Sequence, residues 1–224
     1  ATLPVREFAD DKFVVLVTKK GTIKKTELAA YSNPRSGGII AISIEKGDEL
    51  VDVQLTTGKQ DIFLATRRGL AIRFKEKDVR DMGRTAKGVR GINLRKDDAV
   101  IGVEIPAKDT FVLTVSEKGF GKWTPIEEYR LQSRGGKGTM NLKLVPKVGN
   151  VSGVLQVTGE EHVMLISDGG KVIRLKVAEI PVNHRVTQGV KLIDLESKEK
   201  LVGVARTTAE DEVNGSSGDD ESEE

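Results

Sequence analysis

The segment Gln132-Ser133-Arg134-Gly135-Gly136-Lys137-Gly138 concentrates the residue types best suited to chemistry in this 224-residue chain, and that chemistry is anion binding. Gly135, Gly136 and Gly138 remove side chains where another backbone can approach, so main-chain amides can face phosphate oxygens. Arg134 and Lys137 add charge, the guanidinium with paired donors. Gln132 and Ser133 are donors of the kind that meet phosphate and sugar oxygens. An unliganded turn is the other reading of a Gly-rich stretch. A nucleotide P-loop is excluded, because GxxxxGK[ST] is absent and no strand-to-helix pattern surrounds the segment.

No catalytic set stands beside it. There are no cysteines and only two histidines, His162 and His184, which excludes thiol nucleophiles, disulfides, and Cys- or His-rich metal centres. Tyr31 and Tyr129 follow similar short connections, which argues for packing. Asp10–Asp11 and Asp97–Asp98 read as solvated turns. The chain is therefore expected to be non-catalytic and to hold no cofactor or metal.

The basic residues recur at regular places. One group lies at turns: Lys19, Lys20, Lys24 and Lys25, then Arg67, Arg68 and Arg73, then Lys118 and Lys122, then Lys171 and Arg174. A second group precedes a set of glycines: Arg35, then Arg84, Lys87 and Arg90, then Arg134 and Lys137, then Arg185. Equivalent loops of a repeat array fall on one rim, so periodic charge in sequence becomes a basic band in space, the footprint of a polyanion backbone. For the tips Lys19, Lys20, Arg67 and Arg68, simple solubility is an equal reading.

The elements that position these residues follow from an internal repeat. FVVLVTKKGTIKKT (13–26), IFLATRRGLAIRFK (62–75), FVLTVSEKGFGKWT (111–124) and VMLISDGGKVIRLK (163–176) share one form. Gly21, Gly69, Gly119 and Gly170 mark its turns; Gly38, Gly88, Gly138 and Gly189 follow in step, as do Val53, Val103, Val154 and Val204. The period is about 50 residues. Val, Ile and Thr runs around Gly-tipped turns predict four strands per unit, at 13–18, 22–26, 38–44 and 50–55 in the first. The predicted architecture is all-β: four-stranded blades around an axis, with repeats at about 10–58, 59–107, 108–158 and 159–208. LPVREF (3–8) resembles the end of a unit, so it is expected to be a strand from an upstream unit or one donated to a blade. A double period also runs through the chain. Units one and three share a Tyr followed by a Gly pair, and units two and four share AIRF (71–74) and VIRL (172–175).

Residues 209–224 carry eight acids and no base, and are expected to be a disordered acidic tail that competes for the basic rim or merely solubilises. The other residues carry all 36 bases against 26 acids. No apolar run approaches the length of a membrane span, and ATLPVREFADD lacks a signal-peptide pattern. A soluble, cytoplasmic chain that meets no membrane is expected.

QSRGGKG (132–138) is similar to the QRRGGKG box of the C-terminal domain family of the DNA gyrase A subunit, with Ser133 in place of the first Arg. PVREF (4–8), GTIKKTEL (21–28), GDELVDVQLTTG (47–58), IRFKEKDVRDMG (72–83), TAKGVRGINL (85–94), VTQGV (186–190) and the acidic tail extend the likeness over the whole chain. The resemblance implies a β-pinwheel, a propeller-like array whose blades exchange strands. It implies duplex DNA bent around a basic rim with positive handedness, so that a holoenzyme supercoils DNA negatively. It implies partners, namely the rest of the A subunit plus the B subunit in an A2B2 assembly, with ATP and Mg used elsewhere, in a bacterial, nucleoid-associated setting, the isolated domain being monomeric. Four repeats stand where the family's gyrase domain usually has six, and the box lies in the third repeat rather than near the start. Trp123 replaces a residue that is basic at Arg73 and Arg174, which predicts weaker DNA contact there. The alternatives are a topoisomerase IV domain that guides substrate choice, and a protein-binding propeller, for which nine aromatic residues are few.

Overall fold

The computed structural model describes residues 2–207, and the acidic stretch 209–224 lies outside them. Fifteen strands and four short 3-10 turns make up its regular structure. Each repeat opens with a hairpin: β1 (Phe13–Thr18) with β2 (Thr22–Glu27), β4 (Asp61–Thr66) with β5 (Leu70–Lys75), β8 (Phe111–Ser116) with β9 (Phe120–Pro125), and β12 (His162–Ser167) with β13 (Val172–Lys176). The tips read [Ser/Thr]-x-x-Gly for a physical reason. The hydroxyls of Thr18, Thr66, Ser116 and Ser167 accept the amides of Thr22, Leu70, Phe120 and Lys171 at 3.0–3.2 Å, while each tip glycine takes φ between 75° and 84°.

An inner strand completes each repeat: β3 (Leu50–Thr56), β7 (Val100–Glu104), β11 (Val151–Val157) and β15 (Leu201–Thr207), paired to the hairpin's first strand. These four lie side by side around the axis. Glycine permits the close approach: a Cβ on Gly102 would fall 2.5 Å from Val154 Cγ2, and one on Gly153 2.4 Å from Val204 Cγ1. Val154 and Val204 are thus knobs that fill the glycine gap of the preceding blade.

The remaining strand crosses between blades. β6 (Val89–Arg90) pairs with β2, β10 (Thr139–Met140) with β5, and β14 (Val190–Lys191) with β9. Each repeat after the first therefore closes the blade before its own, which is the strand exchange of a β-pinwheel. Three sheets have four strands and the last, β13-β12-β15, has three. Two expectations need correction. Residues 38–44 form no strand, since among the described residues no earlier blade offers them an edge. Residues 3–8 form none either; Leu3 and Val5 pack instead against Val14, Leu16 and Leu28.

The cores lie between blades rather than within them. Val15, Val17 and Ile23 of the first pack on Ile62, Leu64, Ile72 and Phe74 of the second. Phe63 and Ala65 meet Val112, Ile126 and Tyr129 across the next junction, and Leu113 and Val115 meet Val163 and Leu165 across the third. Each buried branched or aromatic side chain contributes about 1.5–3 kcal/mol, so neighbouring blades stabilise one another. Tyr129 is buried edge-to-face on Phe63, its ring centroid 4.9 Å away, with its hydroxyl 2.5 Å from Asn141 Oδ1. Burial pushes its phenol up, consistent with packing and not nucleophilic work.

Candidate nucleic-acid interface

The strand exchange places the Gly-rich segment. Residues 132–138 belong to the third repeat but ride on the second blade, because β10 follows them directly and adds to β5. Gln132 N donates to Arg73 O at 2.9 Å, Gly135 N to Gly91 O at 2.7 Å, and Asn93 N to Gly136 O at 2.9 Å. Gly138 has φ +74°, and a Cβ there would lie 2.5 Å from Ala71 O. Its counterparts behave alike: a Cβ on Gly88 would lie 2.6 Å from Ile23 O, and one on Gly189 2.4 Å from Gly121 O. This glycine series marks where an exchanged loop lies flat on its neighbour. Gly38, with nothing within 4 Å, shows the same φ without the contact.

Each loop carries an arginine that reaches back one repeat. Arg134 donates to Arg90 O and, at 3.0 Å, to Asp78 O; Arg185 donates to Met140 O at 3.1 Å; Arg84 donates to Ile40 O at 3.4 Å. The acceptors are equivalent residues of successive repeats, so the loops at 84–88, 134–138 and 185–189 are joined in sequence along the outer edge of the array. Each guanidinium is half-buried and has five donors, so part of its capacity remains for a ligand. Lys87, Arg90 and Lys137 are exposed beside them, as is Arg35 on the corresponding segment of the first repeat.

The hairpin tips form a second exposed set. Lys19 pairs with Glu49 at 3.1 Å, Arg67 with Glu117 at 2.7 Å, and Lys171 donates to Asp194 O at 2.6 Å. Lys20 and Arg68 are also exposed, as is Arg174, which lies within β13 and not at a tip. Two acids pin the backbone of two tips: Asp48 accepts Lys20 N and Asp98 accepts Arg68 N, both at 2.9 Å. Asp98 therefore holds a hairpin, where its type and setting in sequence suggest only a solvated turn. The 50-residue spacing of the two acids was the available signal.

Four of the expected contact residues do not lie on the rim. Lys24, Lys25 and Lys122 are buried, and Arg73 is half-buried. Lys25 pairs with Asp81 at 2.8 Å over the Phe13 ring, and Arg73 with Asp61 at 2.8 Å while donating to Ile126 O at 2.9 Å. Trp123 does the equivalent work in the third blade, donating from its indole to Ile180 O and packing on Phe111 with ring centroids 4.5 Å apart. The position shared by Lys25, Arg73 and Trp123 fastens a blade to the next repeat, so the aromatic there replaces an internal clamp and removes nothing from the rim. Lys24 and Lys122 lie beneath the exchanged loops, their amines on loop carbonyls.

A further acid was not anticipated. Glu128 accepts His184 Nδ1 at 2.7 Å and Arg185 N at 3.0 Å, and so holds the 184–189 loop. Among the described residues no cluster of acids, His or Cys is arranged to hold a metal ion.

Four blades, three of them closed by an exchanged strand, and a Gly-rich cationic loop agree with what sequence comparison finds. The family model described as DNA gyrase C-terminal domain, beta-propeller, matches residues 12–57, 60–107, 110–158 and 161–208. The chain belongs to the DNA gyrase C-terminal domain family. It is 45% identical over 206 residues to the A subunit of DNA gyrase from Salmonella typhimurium, and 43% identical over 210 residues to that from Staphylococcus aureus. These alignments take in 92% of the chain but only 24% of either relative, so the chain spans about a quarter of their length. The solved C-terminal domain of DNA topoisomerase IV superposes with a TM-score of 0.87 at 27% identity, covering 93% of this chain and 65% of that one. A solved DNA gyrase A C-terminal domain superposes at 0.82 with 24% identity, covering 90% of this chain and 68% of that one, a likeness of fold.

Proposed function

We propose that this chain binds duplex DNA along its outer edge and bends it, as the wrapping domain of a gyrase A subunit. The observation that carries the reading is the arginine relay from Arg84 to Ile40, Arg134 to Arg90 and Arg185 to Met140, which lines up the cationic loops as one track. Lys87, Arg90, Lys137 and Arg35 supply exposed charge on that track, with Gln132 and the amides of Gly135, Gly136 and Gly138 beside them. Lys19, Lys20, Arg67, Arg68 and Lys171 extend it at the hairpin tips, and Arg174 lies exposed on β13.

Smoothly bending 20–30 bp by 40–90° costs on the order of 1–6 kcal/mol. About 6–10 phosphate contacts offset that cost and make affinity fall roughly 10³–10⁵-fold between 50 and 200 mM salt. Among the described residues no α-helix is available to enter a major groove, so recognition rests on backbone and shape with weak sequence preference. The domain does no chemistry and holds no cofactor. In an assembly of A2B2 form with the B subunit, the wrap would have positive handedness. It would present a second DNA segment for ATP-driven passage and leave negative supercoils, in the bacterial cytoplasm. The backbone likeness to the topoisomerase IV domain favours a second reading, substrate guidance without strong wrapping. Ligating nicked circles in the presence of the chain separates the two, since a positive linking shift belongs to wrapping and its absence, with binding retained, to guidance.

A further inference from the structure

The third strand position after each tip glycine alternates along the array. It is Lys24 in the first blade, Ile72 in the second, Lys122 in the third and Ile173 in the fourth. Lys24 and Lys122 have no exposed surface, and each sits under a loop donated by the following repeat. Lys24 Nζ donates to Arg84 O and, at 2.5 Å, to Ala41 O; Lys122 Nζ donates to His184 O at 2.5 Å. Under the Gly-rich loop of the second blade the floor is instead apolar, with Ile72 Cδ1 about 3.5 Å from where a Cβ on Gly136 would stand.

What distinguishes these two amines is that neither has a carboxylate within ion-pair distance, Glu128 acting on Lys122 only from farther off. The other cations drawn into blade junctions have one: Lys25 meets Asp81 and Arg73 meets Asp61. Among the described residues Lys24 and Lys122 make no ion pair with any carboxylate. Arg84 faces Lys24 from the loop above and adds repulsion, Tyr31 shares the Ala41 carbonyl, and the neighbouring Lys25 is paired with Asp81. Around Lys122 stand Arg185, His184, Tyr129 and Glu128, and Glu128 is already committed to His184 Nδ1 and Arg185 N. A buried cation without an anion is costly, and a partner that supplies one is favoured.

Resting on the proposed DNA-binding function, we propose that a phosphate of the bound duplex serves as the counter-ion of Lys24 and another that of Lys122, so that DNA binding draws protons onto these two amines. The acceptors Arg84 O and His184 O belong to the exchanged loops that carry Arg84, Lys87 and Arg185, so the backbone of those loops would stand between each amine and an anion held on them. Burial, with Arg84 adding to it, lowers Lys24 to about 8; burial lowers Lys122 to about 7, with Glu128 opposing and Arg185 reinforcing. Both amines are thus partly neutral in the free chain near pH 7.5, and an external anion reverses that shift.

The test is calorimetric titration of the chain with a duplex at pH 7.5 in phosphate and in Tris, whose ionisation enthalpies differ. The expected result is uptake of about one proton per chain, roughly a quarter of it at Lys24 and three quarters at Lys122, so that affinity falls on the order of tenfold per pH unit near that pH. Lys24→Ile and Lys122→Ile write in the residue that the second and fourth blades carry at this position, so the fold already accommodates it. The double variant should bind with uptake near zero. Observing the ¹³Cε resonances of both lysines in the unaltered chain gives a variant-independent check, since both should titrate at higher pH with DNA bound. Binding with no uptake, with equal uptake in chain and double variant, or with unmoved lysine titrations overturns this inference alone. Absence of DNA binding overturns it together with the function on which it rests.

Discussion

Arg134 donates a hydrogen bond to the main-chain carbonyl of Arg90, which lies on the exchanged strand of the preceding repeat. Arg185 does the same to Met140 at 3.1 Å. The guanidinium ties the Gly-rich loop to the preceding exchanged strand and leaves donors directed elsewhere. One residue type thus fixes the spacing between loops and contributes charge to each.

Arg134→Lys keeps the charge but removes the fork that spans Asp78 O and Arg90 O. We expect affinity to fall by about three- to tenfold, corresponding to the loss of roughly one hydrogen bond. The linking shift in nicked-circle ligation should drop to less than half. Equal topological shifts for the two proteins would show that the clamp does not set the DNA path.

Gly138→Ala and Gly38→Ala share a positive φ, at +74° and +81°, but only the first forces a Cβ to 2.5 Å from a carbonyl oxygen. The backbone term is about 1 kcal/mol at either place. The clash should make Gly138→Ala the costlier by a further 1–3 kcal/mol or so. Thermal unfolding should therefore fall by several degrees more for Gly138→Ala than for Gly38→Ala.

Rim charges and internal clamps should separate cleanly. Lys137→Ala and Arg90→Ala alter exposed side chains and should each lower the salt slope of DNA binding by about 1 with unchanged melting. Arg73→Ala leaves Asp61 and the Ile126 carbonyl without their guanidinium and should cost about 2–4 kcal/mol of stability while leaving the salt slope alone. A salt slope that falls with Arg73→Ala would place that side chain on the DNA after all.

The blade repeat was legible because three glycine and valine series hold register for mechanical reasons. Gly88, Gly138 and Gly189 lie flat against a neighbour's carbonyl, and Val154 and Val204 fill the gaps at Gly102 and Gly153. The direction of strand exchange was not legible from period alone, since a two-residue strand such as Val89–Arg90 has no pattern of its own. That reading came through family resemblance. Reading TIKKTE (22–27) as exposed charge failed because this strand lies between a neighbouring blade on one face and loops on the other. Its lysines are buried on both sides, so residue type misreports position. GGIIAIS (37–43) fits the pattern of the exchanged segments and forms no strand, because pairing depends on an edge supplied by another repeat.

Glu104 on the inner strand β7 gives a pH signature. Burial raises its carboxyl to about 7, Asp52 adds to the shift, and a backbone hydrogen bond at Gln156 and the charge of Arg206 oppose it. The folded state then binds a proton that the unfolded chain releases, so stability from this group is present at low pH and is lost as pH rises from about 4.5 through 7. Glu104→Gln should remove this slope and stabilise the chain at pH 8 by on the order of 1–2 kcal/mol. Parallel stability–pH curves for the two proteins would contradict the assignment.

The most direct measurement of the central claim is the linking number of nicked plasmid ligated with increasing amounts of this chain at low salt. A continuous cationic track that wraps DNA predicts a positive shift that grows with protein, fades as salt rises, and largely disappears when Arg134 and Lys137 are both changed to Glu. Saturated binding with an unchanged topoisomer distribution would contradict it.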